Sequence, residues 1–566
     1  MSHAKSTLTG LEAGAMPGMG SGVYKRLFDP KIVPAATRLD VACLRDIAEA
    51  MIKADDGEAI DTPEVTDENL TIPAAYTYFG QFVDHDITLD PTPLSVDTGS
   101  LVDALEDFRT PALDLDCIYG RGKDDQPYMY DDKCRLLLKD VEVGNGNANI
   151  GTKHDLLRIN ERAAVIGDKR NDENKIVSQI QSAMISFHNK VVRDDALLRR
   201  VGARIDVTGT WSQTQADDSR FRAAVNLVRW HYQWVVVNDY LNRICDSRIV
   251  AEVLNPGNVP RLMHYAAQVS EYPYMPVEFS GAAFRFGHSM VRPSYALNID
   301  VGTNVGRHAV NDKSEPVKPR IPTFRSGDLD PRKSLNGFPG TLAGGWGIDW
   351  GYFLPGIKAN TPADAVKPFQ VPQPSYRIDA NLVAPLSNLP EFNGEPSSIL
   401  KNLAYRNLVR GQQLALPSGE SVANALHIKP LQPDVLWSAG SCKAAAGVDN
   451  QNIAQALKDG STARQKVADT WLKNGLCGNT PLWYYILREA EWCGVTNQTD
   501  EPGVALGGQH LGPVGSRIVV ETIVGLLWFD DTSYLHANPP FSPTPEILGT
   551  DPEFTLTSLI RYALTY

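Results

Sequence analysis

Residues 78–90 read YFGQFVDHDITLD, which sets Gln81, Asp84, His85 and Asp86 among apolar neighbours. A helix turns about 100° per residue, so Gln81 and His85 project the same way, with Asp84 beside them. Asp86 points about 200° away from Asp84. A helix here must offer an amide, an imidazole and a carboxylate to one pocket, and a second carboxylate to another. An acid and an imidazole buried side by side need compensation, which points to a metal or cofactor. A helix start with a satisfied core histidine has the same pattern, and this segment alone leaves both open.

The rest of the chain reads as mainly α: one large helical domain over 23–566, with long loops and few short strands, behind a flexible Gly-, Met- and Ser-rich tail over 1–22. Apolar periodicity predicts helices over 176–194, 221–243, 399–410 and 517–528. Stretches 254–261, 326–347 and 354–376 are rich in Gly and Pro and are expected to be loops, which often carry function. A net charge of −13 with no Lys/Arg cluster argues against nucleic acid and anionic membranes as partners. The best apolar run, Ile518–Trp528, is broken by Glu521, so no membrane span is expected. The start has no apolar h-region, so the expectation is no signal peptide, and either a cytoplasmic location or leaderless export. Seven scattered cysteines without a CxxC favour free, packing thiols, although Cys477 and Cys493 could pair across a short loop.

Four further clusters carry chemistry. In IGDKRNDEN (166–174), Arg170 and Glu173 are three apart and share a helical face. A surface ion pair would look the same. In GAAFRFGHSMVRPSY (281–295), His288 sits among Phe284, Phe286 and Met290, three residues after Arg285. It is either a satisfied core histidine or an axial ligand to haem iron, with Arg285 reaching a propionate. In NLAYRNLVRGQQLALPSG (402–419), the Asn407 amide could accept the second N–H of a ligating imidazole, with Arg410 three residues on. In RTPALDLDCIYGRG (109–122), Thr110, Ala112, Asp114 and Asp116 alternate. An extended loop would turn their oxygens one way, and Asp86 would bring a third carboxylate, a set that suits Ca²⁺ better than Zn²⁺. An acidic surface loop is the bland alternative.

Together these segments resemble the animal-type haem peroxidases of the peroxidase–cyclooxygenase superfamily, which includes myeloperoxidase and lactoperoxidase. GQFVDHD, GDKRNDEN, FRFGH and the Asn407/Arg410 pair stand in the family's order, and TPLWYYILREAE (480–491) and LGPVGSRIVVETIVGLL (511–527) fit its tail. The likeness runs from about Thr71 to Ser542 and is nearest the bacterial members. It implies catalytic roles for His85 (distal histidine), Arg170 (distal arginine) and Gln81 (distal glutamine). It implies His288 as the proximal iron ligand and Asn407 as its hydrogen-bond partner, with Arg285 and Arg410 also cofactor-binding. Asp84 and Glu173 would ester-link haem b. Asp86, Thr110, Ala112 through its carbonyl, Asp114 and Asp116 would bind Ca²⁺, Asp116 standing where the family often has Ser. His188 and Asn189 match a pair read as structural.

The resemblance further implies a peroxidase that reduces hydrogen peroxide through a ferryl intermediate and acts as a monomer on small anionic or aromatic donors. A third, sulfonium haem link needs a methionine where this chain has Asn174, so bromide, iodide, thiocyanate or phenols are expected rather than chloride. The family's fatty-acid oxygenases carry a tyrosine three residues before the proximal histidine, where this chain has Arg285. A haem-dependent dioxygenase or peroxygenase acting on a fatty acid or secondary metabolite is therefore the weaker alternative. A calcium-stabilised haem-binding scaffold without turnover is weaker still.

Overall fold

In the computed structural model, strand β1 (Gly22–Lys25), helix α1 (Val41–Ala50) and strand β2 (Glu68–Pro73) lead into helix α2 (Ala74–Ile87), which carries the polar quartet. The structure describes residues 22–52, 68–91, 94, 102, 105–141, 154–255, 259–265, 272–298, 320–324, 334–337, 342, 345–359, 372–390, 399–436, 478–494 and 507–565. The predicted tail, Gly22 aside, and most of the 326–347 loop lie outside these residues, as do Cys442 and Cys477.

Helix α2 has no side-chain cap. Its first amides are satisfied from outside: Ala74 N donates to Gln373 O at 2.8 Å and Ala75 N to Phe353 O at 3.4 Å. Every α2 residue except Gln81 and Asp84 is buried, so the helix crosses the interior. Helix α3 (Lys175–Val191) starts at Asn174, whose side chain accepts from Ile176 N. Helix α4 (Gln213–Val235) begins earlier than the expected 221, because Ser212 and Gln215 form a reciprocal capping box. The expected single helix also changes form: a π-turn spans Val236–Tyr240 before Leu241–Ile244 resumes α-helix. Helices α5 (Leu403–Gln413), α6 (Leu482–Cys493), α7 (Pro513–Trp528) and α8 (Leu556–Leu564) complete the main set.

Strands are short, and several are buried. β1 pairs parallel with Met275–Pro276 and antiparallel with Glu106–Asp107, and β2 pairs with Pro374–Tyr376. The last pair places a strand inside the 354–376 stretch expected to be loop. The fold is mainly α. Helix α2 packs on α3, α3 on α4 and α8, α1 on α5, and α6 on α7. Glu521, the charge that breaks the apolar run of α7, is buried and accepts from His264 N (2.7 Å) and Tyr265 N (3.2 Å). No helix among the described residues is long and apolar enough to cross a membrane. Cys43, Cys117, Cys134 and Cys245 are buried free thiols, as expected.

The π-turn has a direct packing consequence. It brings the Tyr240 hydroxyl against Gly80 of α2, where an added Cβ would lie 2.1 Å from that oxygen. Gly80→Ala is expected to cost about 1–3 kcal/mol by overpacking, and Tyr240→Phe in that background to recover part of it. Urea denaturation of the two variants checks this.

Candidate functional site

Gln81, Asp84, His85, Arg170, Glu173, Arg285, His288 and Arg410 all line one cavity of about 1010 Å³. Helix α2 supplies the first three. The 3-10 turn Lys169–Asp172 supplies Arg170, with Glu173 as its C-cap. The 3-10 turn Ala283–His288 supplies Arg285 and His288, and α5 supplies Arg410.

The protonation state of His85 follows from a chain of amides. Gln181 Nε2 donates to Cys117 O at 3.1 Å, so Gln181 Oε1 is left to accept from Asn171 Nδ2 at 2.9 Å. Asn171 Oδ1 therefore faces His85 Nδ1 at 2.8 Å as an acceptor. The ring must carry its proton on Nδ1, which leaves the Nε2 lone pair free. Burial, and then the charge of Arg170, push the His85 pKa down to about 3, so the ring is neutral at ordinary pH. Its Nε2 lies 3.9 Å from Glu173 Oε1. Gln81 Nε2 donates to that same carboxylate oxygen in a close contact.

Arg170 is clamped rather than loose. Asp168 caps the 3-10 turn through Arg170 N and takes the guanidinium at Nε (3.1 Å) and Nη2 (2.7 Å). Arg170 Nη2 also donates to His85 O (3.0 Å) and Thr88 O (2.6 Å). Burial opposes its charge and Asp168 more than offsets that, so the cation is permanent. The alternative of a surface Arg170–Glu173 ion pair is not what forms: the 3-10 turn brings Asp168 within reach of the guanidinium instead.

His288 Nδ1 lies 2.8 Å from Asn407 Nδ2, and Asn407 Oδ1 accepts from Arg285 Nη1 at 2.9 Å. The pairing with Asn407 is the expected one, but the amide is turned the other way, since the Arg285 cation claims its oxygen; ligation of a metal through His288 Nε2 requires that amide to rotate and accept from Nδ1–H. Arg285 Nε donates to Ser280 O (2.7 Å), and Trp483 Nε1 to Arg285 O (3.2 Å). Burial, then Arg285 and Arg406, hold the His288 pKa down to about 3. Its Nε2 has no hydrogen-bond partner among the described residues. Arg285, Arg406 and Arg410 line the same cavity, and burial weakens the hold of Arg285 and Arg410 on their protons. Asp90 lies 3.2 Å from Arg410. Desolvated cations facing one space, with an unpartnered imidazole nitrogen, fit an iron porphyrin with its propionates.

The second expected cluster also assembles. Asp86, from the other face of α2, meets Asp114 and Asp116, with carboxylate oxygens within 4.8 Å of one another and all three buried. Among the described residues, Asp86 Oδ1 and Thr110 Oγ1 are buried without a hydrogen-bond partner, and Asp116 Oδ1 meets Arg109 at 3.4 Å. Ala112 lies in the loop between them, its carbonyl accepting from Asp114 N at 2.8 Å. Burial raises all three carboxyl pKa values, that of Asp86 to about 8, and mutual repulsion adds to it at Asp86 and Asp114. Carboxylates packed this way, beside orphaned oxygens and without Cys or His, suit a hard cation.

A charge relay joins the two sites. Arg109 pairs with Asp116 (3.4 Å) and Asp168 (2.8 Å), and Asp168 in turn holds Arg170. His188 and Asn189 are structural: His188 bonds Tyr119 Oη (3.1 Å) and Cys134 O (3.0 Å), and Asn189 pairs with both backbone groups of Leu136.

The family model for animal haem peroxidases matches residues 102–315. No curated protein matches the sequence. Among solved structures, peroxidase A from Dictyostelium discoideum aligns over 99% of this chain and 96% of its own, with TM-score 0.54 and 15% identity. Fatty acid α-dioxygenases align with TM-scores of 0.45 (Arabidopsis thaliana, 14% identity, 94% of this chain, 74% of that one) and 0.46 (Oryza sativa, 13%, 96% and 85%). The chain thus carries a segment similar to animal haem peroxidases, within a fold shared with peroxidase A.

Proposed function

We propose that this protein is a haem peroxidase that reduces hydrogen peroxide and oxidises bromide, iodide, thiocyanate or phenolic donors. One observation carries the reading: two neutral imidazoles from distant segments line the same buried cavity, each with its Nε2 free of hydrogen bonds among the described residues. Haem, when bound at His288, supplies the iron that exchanges electrons with peroxide. His85 Nε2 takes the proton from the nearer peroxide oxygen and returns it to the departing one. Arg170 stabilises the negative charge that develops there. Asn407 and Arg285 orient His288, and Arg410 with Arg285 faces the propionates. Asn174 is committed to capping α3 and has no thioether, which favours the softer donors over chloride. Ca²⁺ at Asp86, Thr110, Ala112, Asp114 and Asp116 anchors the helix that carries His85.

Asp84 and Glu173 are proposed to hold the haem through ester bonds. Acidified organic solvent is then expected to leave porphyrin on the wild-type polypeptide and to extract it from the Asp84→Asn/Glu173→Gln double variant. Porphyrin that leaves the wild type as readily as the variant removes the covalent part of the assignment. Porphyrin absent from both removes the function.

One observation favours the second reading, a dioxygenase or peroxygenase acting on a fatty acid. Tyr78 and Tyr240 both place buried phenols on the cavity wall, although neither stands at the position of Arg285. Oxygen uptake with a fatty acid and no peroxide selects this reading. A Soret change with peroxide that iodide or a phenol reverses selects the first.

A further inference from the structure

A second cavity of about 320 Å³ lies behind α5. At about 100° per residue, Leu403, Arg406 and Arg410 face the large cavity, whereas Leu408, Gly411 and Gln412 face the small one. Asn407 stands at the border and lines the small cavity.

The cover over this space is a strap, residues 35–39, partly exposed and tied down through the backbone of Ala36, Thr37 and Leu39. Leu39 N donates to Gln412 Oε1 (2.7 Å) and Gln412 Nε2 to Leu39 O (3.1 Å). Thr37 makes the same reciprocal pair with Asn479, at 2.7 and 3.1 Å, and Ala36 N donates to Leu416 O at 2.9 Å. Gln412, Asn479 and Asn407 thus spend their amides on the protein, and apart from Thr37 and Arg38 at the exposed rim the remaining walls are Leu, Ala, Pro, Gly411 and the Trp483 ring. Ordered water needs two or more polar partners, so these walls suit an apolar occupant better.

The space is kept open at a cost. Gly411 sits inside α5, where glycine costs about 1 kcal/mol against alanine. Nothing steric demands it: an added Cβ would meet only Leu416 Cδ1, at an ordinary 3.6 Å. Ala35, Ala36 and Ala415 likewise offer small side chains to the hole. An apolar cavity of about 150 Å³ already admits benzene, and small-molecule sites begin near about 300 Å³.

We infer that this cavity binds a small uncharged aromatic molecule of one ring or two fused rings, and that its occupation is felt at His288 through Asn407. The binding stands independently; the effect on His288 rests on the haem reading. The link is short. Asn407 touches the small cavity and His288 Nδ1, and Trp483 walls the same space while holding Arg285 O.

The test uses the full-length protein as purified, with fluorobenzene as probe and ¹⁹F NMR as the binding readout. Saturable binding to wild type is expected, weakened about tenfold or more by Gly411→Leu, which fills the hole from α5. Ala36→Phe fills it from the strap and carries the test if Gly411→Leu does not fold. Absence of saturable binding to wild type, or equal binding to a folded filled variant, overturns the site. In haem-loaded ferrous protein, fluorobenzene is expected to shift the iron–histidine Raman band of wild type and not of the filled variant. An unmoved band with intact binding overturns the coupling and leaves the site. A preparation without porphyrin fails the haem reading while the ¹⁹F result still decides the cavity.

Discussion

Replacing His85 with alanine is expected to slow the reaction with hydrogen peroxide by about 10²–10⁴-fold, the usual contribution of a positioned acid–base group. The geometry leaves no obvious substitute. The Asn171 amide that faces His85 Nδ1 cannot take a proton, Arg170 is permanently charged, and the two carboxyl groups in the cavity near it, Asp84 and Glu173, are those assigned to the proposed haem esters. The loss should fall on the bond-breaking step and spare haem content, because His85 is the histidine across the cavity from the proposed ligand. Stopped-flow recording of the Soret band after mixing with peroxide measures it, and a His85→Ala variant as fast as wild type would remove His85 from the mechanism. The direction of the pKa shift adds a check. A ring held neutral down to about pH 3 stays a competent base between about pH 5 and pH 8, so the wild-type rate should be flat there as far as His85 is concerned.

Removing the proposed cation is expected to be the second large effect. A ligand at a hundred times its dissociation constant stabilises by about 2.7 kcal/mol, so EGTA should lower the melting temperature and calcium should restore it. The size should depend on pH in a definite direction. Without a cation, Asp86 keeps its proton in the folded state up to about pH 8, against about pH 4 for an unfolded aspartate. Between those values the native chain binds more protons than the unfolded one, so the stability of the empty site falls as pH rises. A bound cation displaces the proton and abolishes the loss. The gap in melting temperature between calcium and EGTA should therefore widen from about pH 5 to pH 8. A gap that stays constant, or no response to EGTA, would discard the assignment. Asp114→Asn should narrow the gap at every pH.

The two-faced character of α2 was legible because it depends on one short period: His85 and Asp86 are adjacent, and a helix must send them apart. The alternation of Thr110, Asp114 and Asp116 was legible for the same local reason. Pairings made across long stretches of chain were not. Asn171 sits inside a segment singled out from sequence, yet its role depends on Gln181 behind it and His85, 86 positions before it. Asp168 and Arg109 were missed because an acid in a capping position and a base in a loop are individually ordinary, and only the fold sets them 2.8 Å apart. The break in the long helix at Val236–Tyr240 has no signature in its apolar pattern, since a π-turn preserves burial while advancing the register. The reversed Asn407 amide likewise follows from where Arg285 ends up.

If the proposed cation and haem sites are correct, the alternation Asp116, Arg109, Asp168, Arg170 would link divalent-ion supply to peroxide chemistry. Acid and base take turns along it, so neutralising the first carboxylate with an ion alters how strongly each following partner is held. A cell short of that ion would accumulate chains whose wall-side guanidinium is less firmly seated, before any porphyrin arrives. Ion loading would then act as an assembly checkpoint, and haem insertion into ion-starved protein would yield a slow enzyme with an intact absorption spectrum.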